Sequence, residues 1–256
     1  MQIEITDKGF LYGQGVFETM RVYNRKIFCF SKHLERLIRG TRAIGLDKIS
    51  KKMLEKSIEK IIAKQKKNNF RIKLISWHSD STTKHAVIIS KLKLYPECFT
   101  AMVSKIRQNE NSPLANIKSL NYLNFLLARN IAQKNKFDEA ILLNSKGYLA
   151  EGSCSNIFFV RNNLLFTPSL DSGCLEGITR KVVLEIAKKY KIKVKEGSYR
   201  KQMLLTANEA FLTNAIIGIM PLIKVGNQKI NYGLPGKLTR YFQEKYKLEI
   251  YKKCYN

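Results

Sequence analysis

The chain has 256 residues, with 46 Lys and Arg against 20 Asp and Glu for a formal charge of +26, and 45% hydrophobic residues beside 14 Gly and 5 Pro. That mixture excludes a disordered, collagen-like or low-complexity chain, and the length allows one large domain or two modest ones. No apolar run reaches the ~18 residues of a membrane span, the Met-Gln-Ile-Glu-Ile start lacks a signal-peptide layout, and Cys29, Cys98, Cys154, Cys174 and Cys254 form no metal spacing.

Residues 17–22 and 27–30 are two apolar runs split by Tyr23-Asn24-Arg25-Lys26, a hairpin signal. Ser31 stands where an N-cap belongs, before a helix with Leu34, Leu37, Ile38 and Ile44 on one face. A second helix from about Ser50 carries Met53, Leu54, Ile58, Ile61 and Ile62 at helical spacing, and strand-like runs follow at 70–77, 86–94 and 99–106. The polar, proline-bearing stretch 108–113 reads as a linker. Beyond it a helix holds Leu120, Leu123, Leu127 and Ile131. Strands at 139–144, 155–160 and 164–167 come next, then a helix from Gly177 with Val182, Val183 and Ile186. Strands near 191–195, 210–213 and 220–225 precede a C-terminal helix from Pro235. The fold class is α+β in two domains, 1–107 and 116–256, with a linker at 108–115.

The odd, unpatterned cysteines suit reduced thiols, so a cytoplasmic protein without metal or membrane is expected. The lysines are spread among Glu and Asn, as in Ser50-Lys51-Lys52-Met53-Leu54-Glu55, without zinc-finger spacing, an RNP-like motif or a basic arm. No nucleic-acid partner is therefore expected, while a positive field also favours anionic small molecules.

Four features could carry chemistry. The run Gly9-Phe10-Leu11-Tyr12-Gly13-Gln14-Gly15-Val16-Phe17-Glu18-Thr19-Met20-Arg21 is not a dinucleotide fingerprint, because no strand precedes it; it is a tight loop entering a strand or part of a site. In His33-Leu34-Glu35-Arg36-Leu37, Arg36 lies on a solvated helix face or is turned inward, where a guanidinium needs an anion such as phosphate. Lys118, in Ile117-Lys118-Ser119-Leu120-Asn121-Tyr122, follows an apolar residue at an expected helix start. It is an ordinary exposed lysine or a desolvated one able to form a Schiff base. Glu151 stands among small and apolar residues in Leu149-Ala150-Glu151-Gly152-Ser153-Cys154-Ser155-Asn156 and would need a cationic or protonated partner. After it, Gly177-Ile178-Thr179-Arg180 opens a helix whose N-terminus is a phosphate cradle, or Thr179 is a plain cap.

In this order the four features resemble the fold-type IV pyridoxal-phosphate enzymes. That family contains branched-chain aminotransferases, D-amino-acid aminotransferases and 4-amino-4-deoxychorismate lyases. The resemblance covers about residues 8–225 through Phe-Glu-Thr-x-Arg, His-x-x-Arg-Leu, Ile-Lys-x-x-Asn, Glu-Gly-x-x-Ser-Asn and Gly-Ile-Thr-Arg. It implies a two-domain fold with pyridoxal 5′-phosphate between the domains. Lys118 then matches the lysine joined to the cofactor aldehyde, which later shuttles the proton, and Glu151 the carboxylate at the pyridine nitrogen. Arg36, Ile178, Thr179 and Asn214 match phosphate contacts, and Tyr122 a tyrosine near the phenolic oxygen. Family members are typically homodimers acting on small molecules, and the resemblance implies the same here.

Several segments look most like the lyases, which make 4-aminobenzoate and pyruvate for folate synthesis. Among them are the glycine loop, Leu204-Leu205-Thr206-Ala207-Asn208-Glu209-Ala210 and Thr213-Asn214-Ala215. In such lyases a threonine at the Thr19 position is thought to protonate the departing pyruvyl group, so Thr19 is the candidate acid, or simply a β-branched strand residue. Tyr12 and Arg21 are candidate substrate contacts. The segment 78–85 lacks the Arg-x-His expected of a D-amino-acid aminotransferase, whereas Tyr122 keeps a branched-chain aminotransferase as the alternative. The chain departs from the pattern in starting almost at the glycine loop and in carrying Cys154 after Glu-Gly-Ser; that cysteine is expected to be a buried core thiol.

Overall fold

The computed structural model describes residues 3–79 and 82–255. Met1 and Gln2 of the N-terminal start, and Asp80 and Ser81 within the 78–85 segment, lie outside the described residues, as does Asn256. The chain divides into two compact units: Met1–Lys93 with Ile117–Tyr122 and Glu249–Asn256, and Leu94–Asn116 with Leu123–Leu248.

The first unit runs α1 (Lys8–Leu11), β1 (Gly15–Tyr23), β2 (Lys26–Ile27), α2 (Phe30–Ala43), α3 (Lys51–Ala63), β3 (Phe70–Ser79) and β4 (Thr82–Ser90). Its sheet is antiparallel in the order β2-β1-β3-β4. The expected hairpin closes through Asn24 and Arg25 at φ 44° and 63°, the positive pair that suits a two-residue turn between twisted strands. Even-numbered β1 residues Val16, Met20 and Val22 pack with Ile72 and Leu74 of β3 against Leu34 and Leu37 of α2 and Leu54, Ile58 and Ile62 of α3. Ser50 caps α3 as expected, accepting from the Met53 amide at 3.4 Å. Ser31 does not cap α2. The hairpin ends in a left-handed Cys29 (φ 56°), so the helix starts at Phe30 and the Ser31 hydroxyl instead donates to Glu35.

The second unit contains β5 (Phe99–Val103), α4 (Leu123–Lys134), β6 (Glu139–Leu143), β7 (Leu149–Gly152), β8 (Asn156–Arg161), β9 (Leu164–Pro168), α5 (Ile178–Lys189), β10 (Val194–Gly197), α6 (Lys201–Leu205), β11 (Glu209–Asn214), β12 (Gly218–Val225) and β13 (Gln228–Lys229). The C-terminal helix α7 spans Lys237–Cys254. The strands form one sheet in the order β10-β9-β8-β11-β12-β5-β6-β7, with β13 on β12. β5 runs parallel to both β12 and β6, so the strand expected to close the first domain belongs to this sheet, and the first segment of the first unit ends at Lys93. The core is built on Ile141, Ile157, Phe159, Leu212 and Leu222.

α4 starts at Leu123, so Leu120 precedes it, and it turns the rest of that apolar stripe outward. Leu123, Leu127 and Ile131 are 65%, 43% and 42% exposed, while Ala128 and Ala132 pack with Ala140 and Leu142. Both stripes fit the helical period, and the small alanines are the side that lets a helix approach a sheet closely. No helix among the described residues is long and apolar enough to cross a membrane.

Candidate active site

Lys118 sits in an extended segment five residues before α4, not at a helix start. That segment lies antiparallel along β1: the Phe17 amide donates to Lys118 O at 2.9 Å, the Leu120 amide donates to Gly15 O at 2.9 Å, and Val16 bridges Ser119. The edge pairing explains why residues 117–122 belong to the first unit. It also half-buries the lysine, whose Nζ stands 4.5 Å from the Phe17 ring centroid and 5.6 Å from that of Tyr122. The two rings meet edge to face at 5.4 Å.

Strand alternation puts Thr19 and Arg21 on the same face of β1 as Phe17. Across the strand pair, Thr19 faces Lys73 and Arg21 faces Arg71. Lys73 Nζ stands 4.4 Å from the Phe17 ring on its own account, and the Arg21 guanidinium lies 4.6 Å from the Tyr23 ring. Burial, then the neighbouring Arg71, holds the Lys73 ammonium below its ordinary pKa. Thr19 is thus a member of a cationic face that also carries the Lys118 amine. Tyr12, just after α1, is 70% exposed.

Glu18 points the other way, into the core. It has no exposed surface, and Arg36 grips it twice, Nε to Oε1 at 2.6 Å and Nη2 to Oε2 at 2.7 Å, while His33 Nδ1 stands 2.7 Å from Oε2. Burial alone would push the Glu18 carboxyl up; Arg36 and His33 overcome it and hold it at about 2. Burial lowers His33 in turn, against its hydrogen bond to Glu18, and Lys118 adds to that lowering. Arg36 is therefore turned inward, and a carboxylate of this chain already takes two of its nitrogens. Sequence reasoning missed Glu18 and His33. The available signal was parity: a carboxylate at an even position of β1, in step with Val16, Met20 and Val22, requires a buried cation.

In the second unit Glu151 lies on β7, 5% exposed, with Oε2 accepting from the Leu175 amide at 3.1 Å. Asn156, first residue of β8, donates to Leu175 O at 2.8 Å. Gly177 is the N-cap of α5 and has no side chain to cap it, leaving Ile178 and Thr179, both buried, as the first helical residues. Thr179 is therefore not the cap. Asn214 spends its amide on local structure: Nδ2 donates to Cys154 O at 3.0 Å, and Oδ1 accepts from the Ile216 and Ile217 amides at 2.9 Å each. Cys154 is half-buried in a polar setting, with Sγ 3.2 Å from Arg129 Nη1 and 3.2 Å from Glu139 Oε2, rather than a plain core thiol.

The donor set suits pyridoxal 5′-phosphate. The first unit offers a primary amine for the aldehyde and a tyrosine, and an inward guanidinium whose Nε and Nη2 are engaged by Glu18. The second offers a buried carboxylate suited to a protonated pyridine nitrogen and a helix N-terminus with no side-chain cap.

The class IV amino-transferase family matches residues 15–225. The chain belongs to this family. Among family members, it is 35% identical over 260 residues to the aminodeoxychorismate lyase of Bacillus subtilis (strain 168), covering 95% of this chain and 88% of that one. It is 30% identical over 268 residues to the D-alanine aminotransferase of Listeria monocytogenes serotype 1/2a (strain 10403S), covering 98% and 92%. The structure of the T.th. branched-chain amino acid aminotransferase complexed with N-(5′-phosphopyridoxyl)-L-glutamate matches with a TM-score of 0.90, 25% identity, and 96% and 87% coverage. The class IV fold and its use of pyridoxal 5′-phosphate are thereby shown for this enzyme, as the resemblance implied.

Proposed function

We propose that this class IV enzyme is a cytoplasmic 4-amino-4-deoxychorismate lyase, releasing pyruvate and 4-aminobenzoate for folate synthesis. The observation that carries the reading is the face shared by Thr19, Lys73, Arg21 and Arg71, beside the Lys118 amine. Aminodeoxychorismate bears two carboxylates, which suit three clustered cations. A branched aliphatic side chain offers no charge to set against them.

The bound cofactor supplies an electron sink for the carbanion formed where the substrate amine is attached. Lys118 Nζ takes the proton from that carbon, with the Phe17 and Tyr122 rings excluding water around it. The Glu151 carboxylate keeps the proton on the pyridine nitrogen. Arg36, with Ile178, Thr179 and the 214–217 turn that Asn214 orders, holds the phosphate side. Thr19 Oγ1 gives a proton to the departing pyruvyl group and is re-protonated by the Lys118 ammonium, so the proton taken from the carbon balances the one given up. Arg21 and Tyr12 contact the substrate.

One observation favours the second reading, a branched-chain or D-amino-acid aminotransferase: the Tyr122 ring beside Lys118 Nζ is where the aminotransferases place a tyrosine. The outward Leu123, Leu126, Leu127 and Ile131 of α4 suit a second copy of the chain, so the enzyme is expected to have a homodimer's mass in solution. The hydroxyl of Thr19 separates the two reactions. Thr19→Val should cut lyase kcat by on the order of 10²-fold, the lower range for a proton-transfer group, and Thr19→Ser should restore most of it. Wild-type kcat in Thr19→Val would remove Thr19 from the reaction.

A further inference from the structure

Glu139, the first residue of β6, has no exposed surface. Its carboxylate collects five donors. Oε1 accepts from the Ala140 amide at 2.9 Å, the Ser153 amide at 3.1 Å and the Ser153 hydroxyl; Oε2 accepts from the Cys154 thiol at 3.2 Å and the Ser155 hydroxyl at 2.8 Å. Three successive side chains of the β7–β8 turn therefore converge on one buried carboxylate. The turn is closed tightly over it: a Cβ on Gly152 would fall 2.2 Å from Ser155 Oγ and 3.1 Å from Glu139 Oε2.

What this turn carries gives the carboxylate its importance. Glu151 lies immediately before it and Asn156 immediately after. Those two clamp the two sides of one peptide residue, Glu151 accepting from Leu175 N and Asn156 donating to Leu175 O. Two residues further on is Gly177, where a Cβ would fall 1.9 Å from Asn156 Oδ1, and α5 begins at Ile178. In the middle of the turn, Cys154 O receives Asn214, which orders the amides of Ile216 and Ile217.

We infer that Glu139 is a positioning residue of the cofactor site, acting through the 152–155 turn on Glu151, the start of α5 and the 214–217 turn. The inference rests on the roles proposed above for Glu151, Ile178, Thr179 and Asn214. A carboxylate is needed because each oxygen must accept from two or more donors, and charged acceptors make bonds roughly twice as strong as neutral ones. A glutamine of the same size would present an N–H where Cys154 and Ser155 already donate.

The test titrates apoprotein with pyridoxal 5′-phosphate, follows the visible spectrum of the loaded enzyme against pH, and measures apoprotein melting. Glu139→Gln should weaken cofactor binding on the order of tenfold, the low end for losing an outer partner at metal sites. It should also move the pH of the spectral transition in the same direction as Glu151→Gln, by less. Ser153→Ala and Ser155→Ala, each removing one hydroxyl donor, should give weaker versions of both changes and decide the matter if Glu139→Gln does not fold. Wild-type affinity and spectrum in Glu139→Gln, or in both serine variants if it does not fold, with or without lowered melting, would overturn the inference while Glu151→Gln remains shifted. A wild-type Glu151→Gln would overturn the role proposed for Glu151, and this inference with it.

Discussion

Lys118→Ala should lower turnover by about 10⁴-fold or more at saturating cofactor, the upper end for a proton-transfer residue, because the covalent anchor goes with the base. Lys73, on β3 opposite Thr19, reaches the same Phe17 ring and is the amine that the label would find if the assignment were wrong. Borohydride treatment of the wild-type holoenzyme should fix a phosphopyridoxyl mass on the peptide containing Lys118. The same treatment of Lys118→Ala should fix none. Near-normal turnover in the variant, or a label on a different lysine, would refute the assignment.

Arg36→Ala should cost about 3–5 kcal/mol of stability at neutral pH, because it strands the wholly buried Glu18 without its guanidinium. The expected cost exceeds what loss of a phosphate contact alone would give to the apoprotein. Adding Glu18→Gln to Arg36→Ala should return much of it, since the stranded charge is then gone. Acid gives an independent check. The Glu18 carboxyl sits at about 2 in the folded chain against 4.5 as its ordinary value, a difference worth roughly 3 kcal/mol. A depressed carboxyl stabilises the fold above its unfolded value, and that stabilisation drains away as pH falls from 4.5 towards 2. Denaturant unfolding should therefore show the wild-type advantage over the double variant shrinking across that window. An Arg36→Ala apoprotein within 1 kcal/mol of wild type would contradict the buried pairing.

The α+β class, the first hairpin, the Ser50 cap and the helix opening after Gly177 were legible because each rests on local chemistry: turn residues, a capping hydroxyl, spaced apolar side chains. That Lys118 stands outside the lysine runs is legible in the sequence, but its setting is not. Its environment comes from an edge pairing with β1, and pairing partners distant in sequence leave no local mark. The orientation of α4 is not legible for a related reason. A helix with leucines on one side and alanines on the other has two faces that could be buried, and only the sheet beneath decides. β5 was assigned to the wrong neighbours because a strand's apolar run does not say which sheet it joins. Glu18 and Glu139 were legible in principle, each a carboxylate within an apolar strand, but their partners lie 15–18 and 14–16 residues away.

The most direct test of the proposed chemistry is acceptor-free turnover. The holoenzyme is mixed with a large excess of 4-amino-4-deoxychorismate and no 2-oxo acid, and pyruvate and 4-aminobenzoate are counted per active site. A lyase regenerates its starting cofactor each cycle, so both products should accumulate in equal amounts far beyond one equivalent. A reaction that stalls near one equivalent and resumes on adding 2-oxoglutarate, with glutamate appearing instead of pyruvate, would mean the enzyme is an aminotransferase.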